Sequence, residues 1–183
     1  MKKIIFIFFA TSLVVISTTS CKKIIAAVFG GTDVNTPAIQ DTIPVIPFVL
    51  PAEVQLGTYT FPFNLDSVVR ANTGGVFGAK AVNSVKLKQF TFELLNADTA
   101  NNIANLMTAR IELTSNSDNN PAEILNVTLP DSTASTFIYT PTSTPELLPY
   151  IKGSQITYTL YGRVRRVTTK PLLFSVSGVL RAN

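Results

Sequence analysis

The chain is 183 residues long, 46% hydrophobic and only 14% charged, with one Cys and neither His nor Trp. It is too apolar for a disordered protein, too lightly charged for a coiled coil, and of a length that suits one domain. The missing residue types exclude a His-based triad, a His or multi-Cys metal site, an internal disulfide and a recognition surface built on Trp. Lys2, Lys3, Lys22 and Lys23 account for the whole formal charge of +4, leaving 11 basic side chains against 11 acidic ones over 24–183. A body that neutral has no field to draw in nucleic acid, which is excluded as a partner.

Lys2 and Lys3 precede an apolar run at 4–16 (IIFIFFATSLVVI), shorter than the roughly 20 residues a helix needs to span a bilayer. Small polar residues at 17–20 then lead to Cys21. The pattern resembles a bacterial lipoprotein signal, with 1–20 removed and Cys21 lipidated as the mature N-terminus. Thr18 and Ser20 stand where the strict motif has Leu and Ala or Gly, a departure similar to the looser version of Bacteroidetes-type bacteria. The resemblance implies anchoring in the cell envelope, with the membrane as a partner through the N-terminal lipid. Lys22 and Lys23, in place of acidic residues, imply an outer-membrane protein facing the periplasm rather than the cell surface. With Cys21 consumed, stability must come from core and hydrogen bonds alone.

The segment 21–52 reads as a tether. Gly30, Gly31, Pro37, Pro44, Pro47 and Pro51 interrupt it without helical period, and each proline removes a backbone donor. Its apolar part at 45–50 is expected to dock as an edge strand, where proline is tolerated.

From residue 53 to 183 the dominant period is two. Val54, Leu56, Tyr59, Phe61 and Phe63 mark one strand. A second runs over 82–95, where Val85 and Leu87 give way to Phe90, Phe92 and Leu94; that change of parity predicts a β-bulge. Met107, Ala109, Ile111 and Leu113 alternate with polar residues, and further strands are expected at 122–129 and 134–140. Ile156, Tyr158, Leu160, Gly162 and Val164 share one face, and Leu172, Phe174, Val176, Gly178 and Leu180 continue the pattern after a polar turn at 168–170, which predicts a C-terminal hairpin. Short helical turns are expected after Asp98 or Thr99 and from Thr144, with Pro145 at its first position. Seven to nine strands and one or two helical turns predict an all-β antiparallel sandwich.

The segments FNLDS (63–67), ANTGGVFGA (71–79), VNSVKLKQFTFELLNADTANNIANL (82–106) and LLPYIKGSQITYTLYGRVRRVTTKPL (147–172) together resemble a group of small Bacteroidetes-type lipoproteins, each a signal plus one all-β domain. The resemblance carries no catalytic motif, so it implies location and fold but no activity.

The residues themselves offer little chemistry. No Ser stands three positions before Lys80, Lys86, Lys88 or Lys152, so a Ser–Lys dyad of the usual spacing is missing. Glu93, Glu112, Asp66, Asp98 and Glu123 are the acids from which a glycosidase pair would have to come. The loop SNSDNN (115–120) has one carboxylate and lacks calcium-loop spacing, and TGGVFGAK (73–80) matches neither phosphate-loop pattern. Arg163, Arg165, Arg166 and Lys170 form the one charge cluster. Alternation puts Arg163 and Arg165 on the face of Tyr161, as an anion-binding patch or a solvated strand face. The chain thus reads as a non-enzymatic binding or structural module without cofactor or metal. A glycan held by Tyr139, Tyr158 or Tyr161, a lipid or apolar ligand between the sheets, and an envelope protein are the partners considered.

Overall fold

The computed structural model describes residues 29–49 and 52–183; Cys21 and the signal lie outside the described residues. Nine strands form two antiparallel sheets. They are β1 (Thr32–Asn35), β2 (Ile39–Ile43), β3 (Val54–Pro62), β4 (Val85–Leu94), β5 (Leu106–Ser115), β6 (Ala122–Thr128), β7 (Thr136–Tyr139), β8 (Gln155–Val164) and β9 (Leu172–Ala182). One sheet has the order β1-β9-β4-β7, with β2 following β1 along β9; the other has β3-β8-β5-β6. The β2–β3, β4–β5, β6–β7 and β8–β9 connections lie at one end, and each crosses between sheets. This is the double-sheet jelly-roll arrangement. The opposite, helical end carries α1 (Leu65–Asn72) and α2 (Leu148–Ile151).

The expected bulge is present: β4 shifts register against β9 between Leu87 and Gln89, so Val85, Leu87, Phe90, Phe92 and Leu94 all face inward. The expected C-terminal hairpin is not. β8 pairs with β3 and β5, β9 with β1, β2 and β4, and the loop 165–171 carries the chain from one sheet to the other. Both apolar faces nevertheless point into the same core, where Phe92 and Phe174 stack at 5.6 Å beside Leu160 and Val176. Alternation determines which face is buried and leaves the partner strand open. A seven-residue connection is ample for the roughly 10 Å between packed sheets.

Two expectations about the N-terminal part are corrected. Residues 32–43, within the expected tether, lie in the sheet as β1 and β2 along β9, and Val34 and Ile43 are buried. The apolar stretch 45–49 is not a strand. It passes over the crossover end, tied by Ile46 N donating to Thr168 Oγ1 at 2.8 Å and Thr168 N donating to Ile46 O at 3.0 Å.

Helix α1 was not anticipated. Asn64 caps it by accepting from Ser67 N at 2.9 Å, Asp66 and Arg70 pair across one turn, and Leu65 and Val69 are buried. Its end explains the glycines: Gly74 and Gly75 have φ of +62° and +83°, and Gly75 N donates to Arg70 O at 2.7 Å. The TGGVFGAK segment is therefore a helix stop. The turn expected from Thr144 begins later, as α2, and the one after Asp98 is a 3-10 turn at Ile103–Asn105 capped by Asn102.

Candidate functional site

At the crossover end, the loops 95–105 and 165–171 are joined through buried asparagines. Asn105 Nδ2 donates to Ala100 O at 3.0 Å and Val167 O at 2.7 Å, while its Oδ1 accepts from Asn102 N at 2.8 Å. Asn101 bridges Asp98 and Thr169, donating to Thr169 Oγ1 at 2.8 Å and accepting from Thr169 N at 2.9 Å. A polar group buried without partners costs stability, whereas these side chains are satisfied and hold the loops in one arrangement.

The four cations singled out from the sequence lie at this end without forming an open patch. Arg165 stands just beyond the end of β8. Its Nη2 donates to Leu129 O at 2.8 Å and its side chain is 21% exposed. Arg166 pairs with Asp131 at 2.7 Å, and Lys170 with Asp98 at 2.6 Å. The Lys170 ammonium, followed by the Asn101 amide, holds the Asp98 carboxyl well below the usual carboxylate range. Arg163 alone is exposed with no ion-pair partner among the described residues. Within the expected cluster, Asp131 and Asp98, on neighbouring loops, engage Arg166 and Lys170, and Arg163 is the one guanidinium with no ion-pair partner among the described residues. A tally of basic residues along one strand misses counterions that arrive from other loops.

The tyrosines separate in the same way. Tyr158 lies between the sheets, where burial pushes its pKa up, and Tyr161 is covered by the Arg110 guanidinium, 4.0 Å above its ring. Arg110 is itself held by Glu53 and Glu112. The inter-sheet space near Tyr158 is a void of about 20 Å³, beside the buried Tyr59 hydroxyl, which has no hydrogen-bond partner among the described residues. That is too small for an apolar ligand, so this void gives the carrier expectation no support.

Tyr139 differs. It lines an open, mainly polar cleft of about 170 Å³ between β6 and β7, with Glu123, Asn126, Pro141, Ser143 and Pro145. A second open cleft, of about 230 Å³ at the helical end, includes Asn64, Asp66 and Lys152. There Asn64 already caps α1, and Asp66 accepts from Ala79 N at 2.8 Å and from Arg70 at 2.7 Å. Among the five acids considered for hydrolysis, Glu112 and Glu123 are cross-strand partners, but Glu112 is engaged by Arg110. Glu93 sits in the other sheet.

No protein-family model and no curated protein matches the chain. Among solved structures, a Parabacteroides distasonis ATCC 8503 protein thought to be secreted is similar at 12% identity, over 84% of this chain and 50% of its own, with a TM-score of 0.40. This chain therefore spans half the length of that protein. The family 32 carbohydrate-binding module of C. perfringens NanJ, solved with galactose, is similar at 9% identity, over 80% of this chain and 99% of its own, with a TM-score of 0.35. The decameric BFDV capsid protein is similar at 8% identity, over 84% of this chain and 98% of its own, with a TM-score of 0.33. Likenesses this remote carry no functional argument, and the jelly-roll order stands on the strand registers alone.

Proposed function

We propose that the protein is a lipid-anchored module of the bacterial cell envelope that binds or scaffolds a partner through its crossover end, without catalysis. The sequence pattern through Cys21 supports the anchor. The observation that carries the orientation is where the chain joins the sandwich. Phe29 packs on Phe77 with ring centroids 5.3 Å apart, and Thr32 pairs with Ala182, both at the helical end. Only seven residues separate Cys21 from Phe29, a reach of at most ~28 Å fully extended.

A lipid on Cys21 therefore holds the helical end near the membrane and turns the crossover end outward. That outward end carries Val45, Phe48, Val49, Leu95, Val167 and Leu173, six of the eight large exposed apolar side chains among the described residues. Apolar tips on a loop platform fixed by buried asparagines suit recognition of another molecule.

Two measurements test this reading. The Cys21→Ser protein should leave the membrane fraction and remain folded; retention after a high-salt wash refutes the anchor. In the lipidated protein on vesicles, a fluorophore on Val76→Cys should be quenched by a lipid-borne quencher, and one on Val167→Cys should not. The reverse order refutes the orientation.

A further inference from the structure

We infer that the cleft between β6 and β7 is a binding site for a neutral saccharide unit. This goes beyond the function proposed above: the cleft is a separate site on the β6/β7 edge, away from the crossover end, and it stands whether or not Cys21 is lipidated.

The cleft exists because β6 and β7 are the outer strands of their sheets on the same side of the sandwich, so the interior is open along that edge. Phe137 and Tyr139 of β7 both pack against the core, their rings nearly parallel at 14° with centroids 6.5 Å apart, and of the two Tyr139 lines the cleft. Tyr139 remains partly exposed at the floor of the cleft. Glu123 and Asn126 of β6 form one wall, with Asn126 Nδ2 3.3 Å from both carboxylate oxygens. Pro141, Ser143 and Pro145 form the other.

The chemistry of this lining selects its ligand. A sugar hydroxyl both donates and accepts. The side-by-side carboxylate and amide offer two acceptors and a donor to neighbouring hydroxyls, while the Tyr139 and Ser143 hydroxyls do either. The lining is mainly polar, so recognition runs through these hydrogen bonds, and the Tyr139 ring and two prolines add only a small apolar contact for the C–H face of a sugar. At about 170 Å³ the space lies below the ~300–1,000 Å³ of drug-sized sites and suits one ring.

Other ligand classes fit less well. No Lys or Arg lines the cleft, so an anion would meet only the Glu123 charge. One carboxylate is too few for a calcium site, and no group of three or more metal-binding side chains occurs among the described residues. Among the described residues, the Glu123 carboxylate and Tyr139 hydroxyl also have no ion pair or hydrogen bond that binding would break, apart from the long contact from Asn126.

The test uses the mature chain carrying Cys21→Ser, titrated by NMR with glucose, galactose, mannose and N-acetylglucosamine, and separately with calcium chloride and inorganic phosphate. At least one sugar should bind with a Kd on the order of 1 mM and shift signals of Glu123, Asn126 and Tyr139. Glu123→Ala and Ser143→Ala, both at exposed positions, should weaken it by about tenfold or more, whereas Tyr139→Phe, which keeps the ring and removes one hydroxyl, should weaken it less. The site is refuted if no sugar shifts these residues, if Glu123→Ala and Ser143→Ala leave affinity unchanged, or if calcium or phosphate binds there in place of sugar. Because every arm uses the Cys21→Ser chain, failure here says nothing about anchoring, and failure of the fractionation test says nothing about the cleft.

Discussion

Arg163 and Arg165 stand two positions apart, and alternation treats them as equals, yet the structure gives them opposite roles. Arg163 is exposed, whereas Arg165 inserts beside Leu129 and Ala104, whose residues are each 1% exposed. Its Nη2 donates to Leu129 O at 2.8 Å, and Nη1 reaches Ala104 O at 3.5 Å. The ion pair to Asp131 is 3.8 Å long and half-exposed on the Asp side, so it contributes little.

Arg165→Ser removes one good charged hydrogen bond and leaves the Leu129 carbonyl buried without a partner, a loss of about 1–3 kcal/mol. Arg163→Ser should stay within about 0.5 kcal/mol, and the double variant should match Arg165→Ser alone. Urea melts at constant m-value read all three. Equal costs for the two single variants, or no cost for Arg165→Ser, would refute the assignment of Arg165 as a buried loop clamp.

The asparagine network makes a larger claim: Asn105→Ala removes three hydrogen bonds of one buried side chain and should cost about 2–4 kcal/mol, with faster amide exchange spreading through both 95–105 and 165–171. Asp98 supplies a pH dependence. Its folded pKa is depressed by Lys170 and then Asn101 below the ordinary 3.8, so its stabilisation is complete above that value and is lost as pH falls through the folded one. Acid titration of stability, followed by circular dichroism, should therefore show a shallower decline below pH ~4 in Asp98→Asn than in the parent; an unchanged slope would contradict the Lys170 contact.

The sequence was most legible where a local pattern meets a single physical demand. The parity change in β4 announces its bulge because every inward position there is apolar. The inward faces of β8 and β9 were legible for the same reason, but their separation into different sheets was not, since a hairpin and a crossover require the same alternation. β1 and β2 were hidden by composition: TDVN and IQDTI each bury one residue fully, as edge strands do. Helix α1 did leave a trace, with Asn64 as cap, Leu65 and Val69 on one face, and Thr73, Gly74 and Gly75 at its end. Arg165 was misplaced because β8 stops at Val164, and alternation has no meaning beyond the last ladder residue.

The same limit governs the tyrosines, and it is why the cleft had to come from the structure. Tyr158 and Tyr139 both occupy inward positions on strands, so parity treats them alike. β8 is flanked on both sides, by β3 and β5, and Tyr158, partly exposed like Tyr139, packs against Phe61 and the core. β7 is an outer strand of four residues facing the outer strand β6, and an inward ring there looks out through the gap between two sheet edges. Whether a partly exposed inward ring lines an open cleft thus depends on strand order, a property of long-range pairing. In a jelly roll the crossover connections set that order, so the loops that carry the chain between sheets also decide which aromatic ring lines a cleft at the sheet edges. If Tyr139 is the ring that meets a ligand, insertions in the β6–β7 connection, which places β7 opposite β6, should alter the cleft more than insertions in the β5–β6 turn, which joins two strands of one sheet.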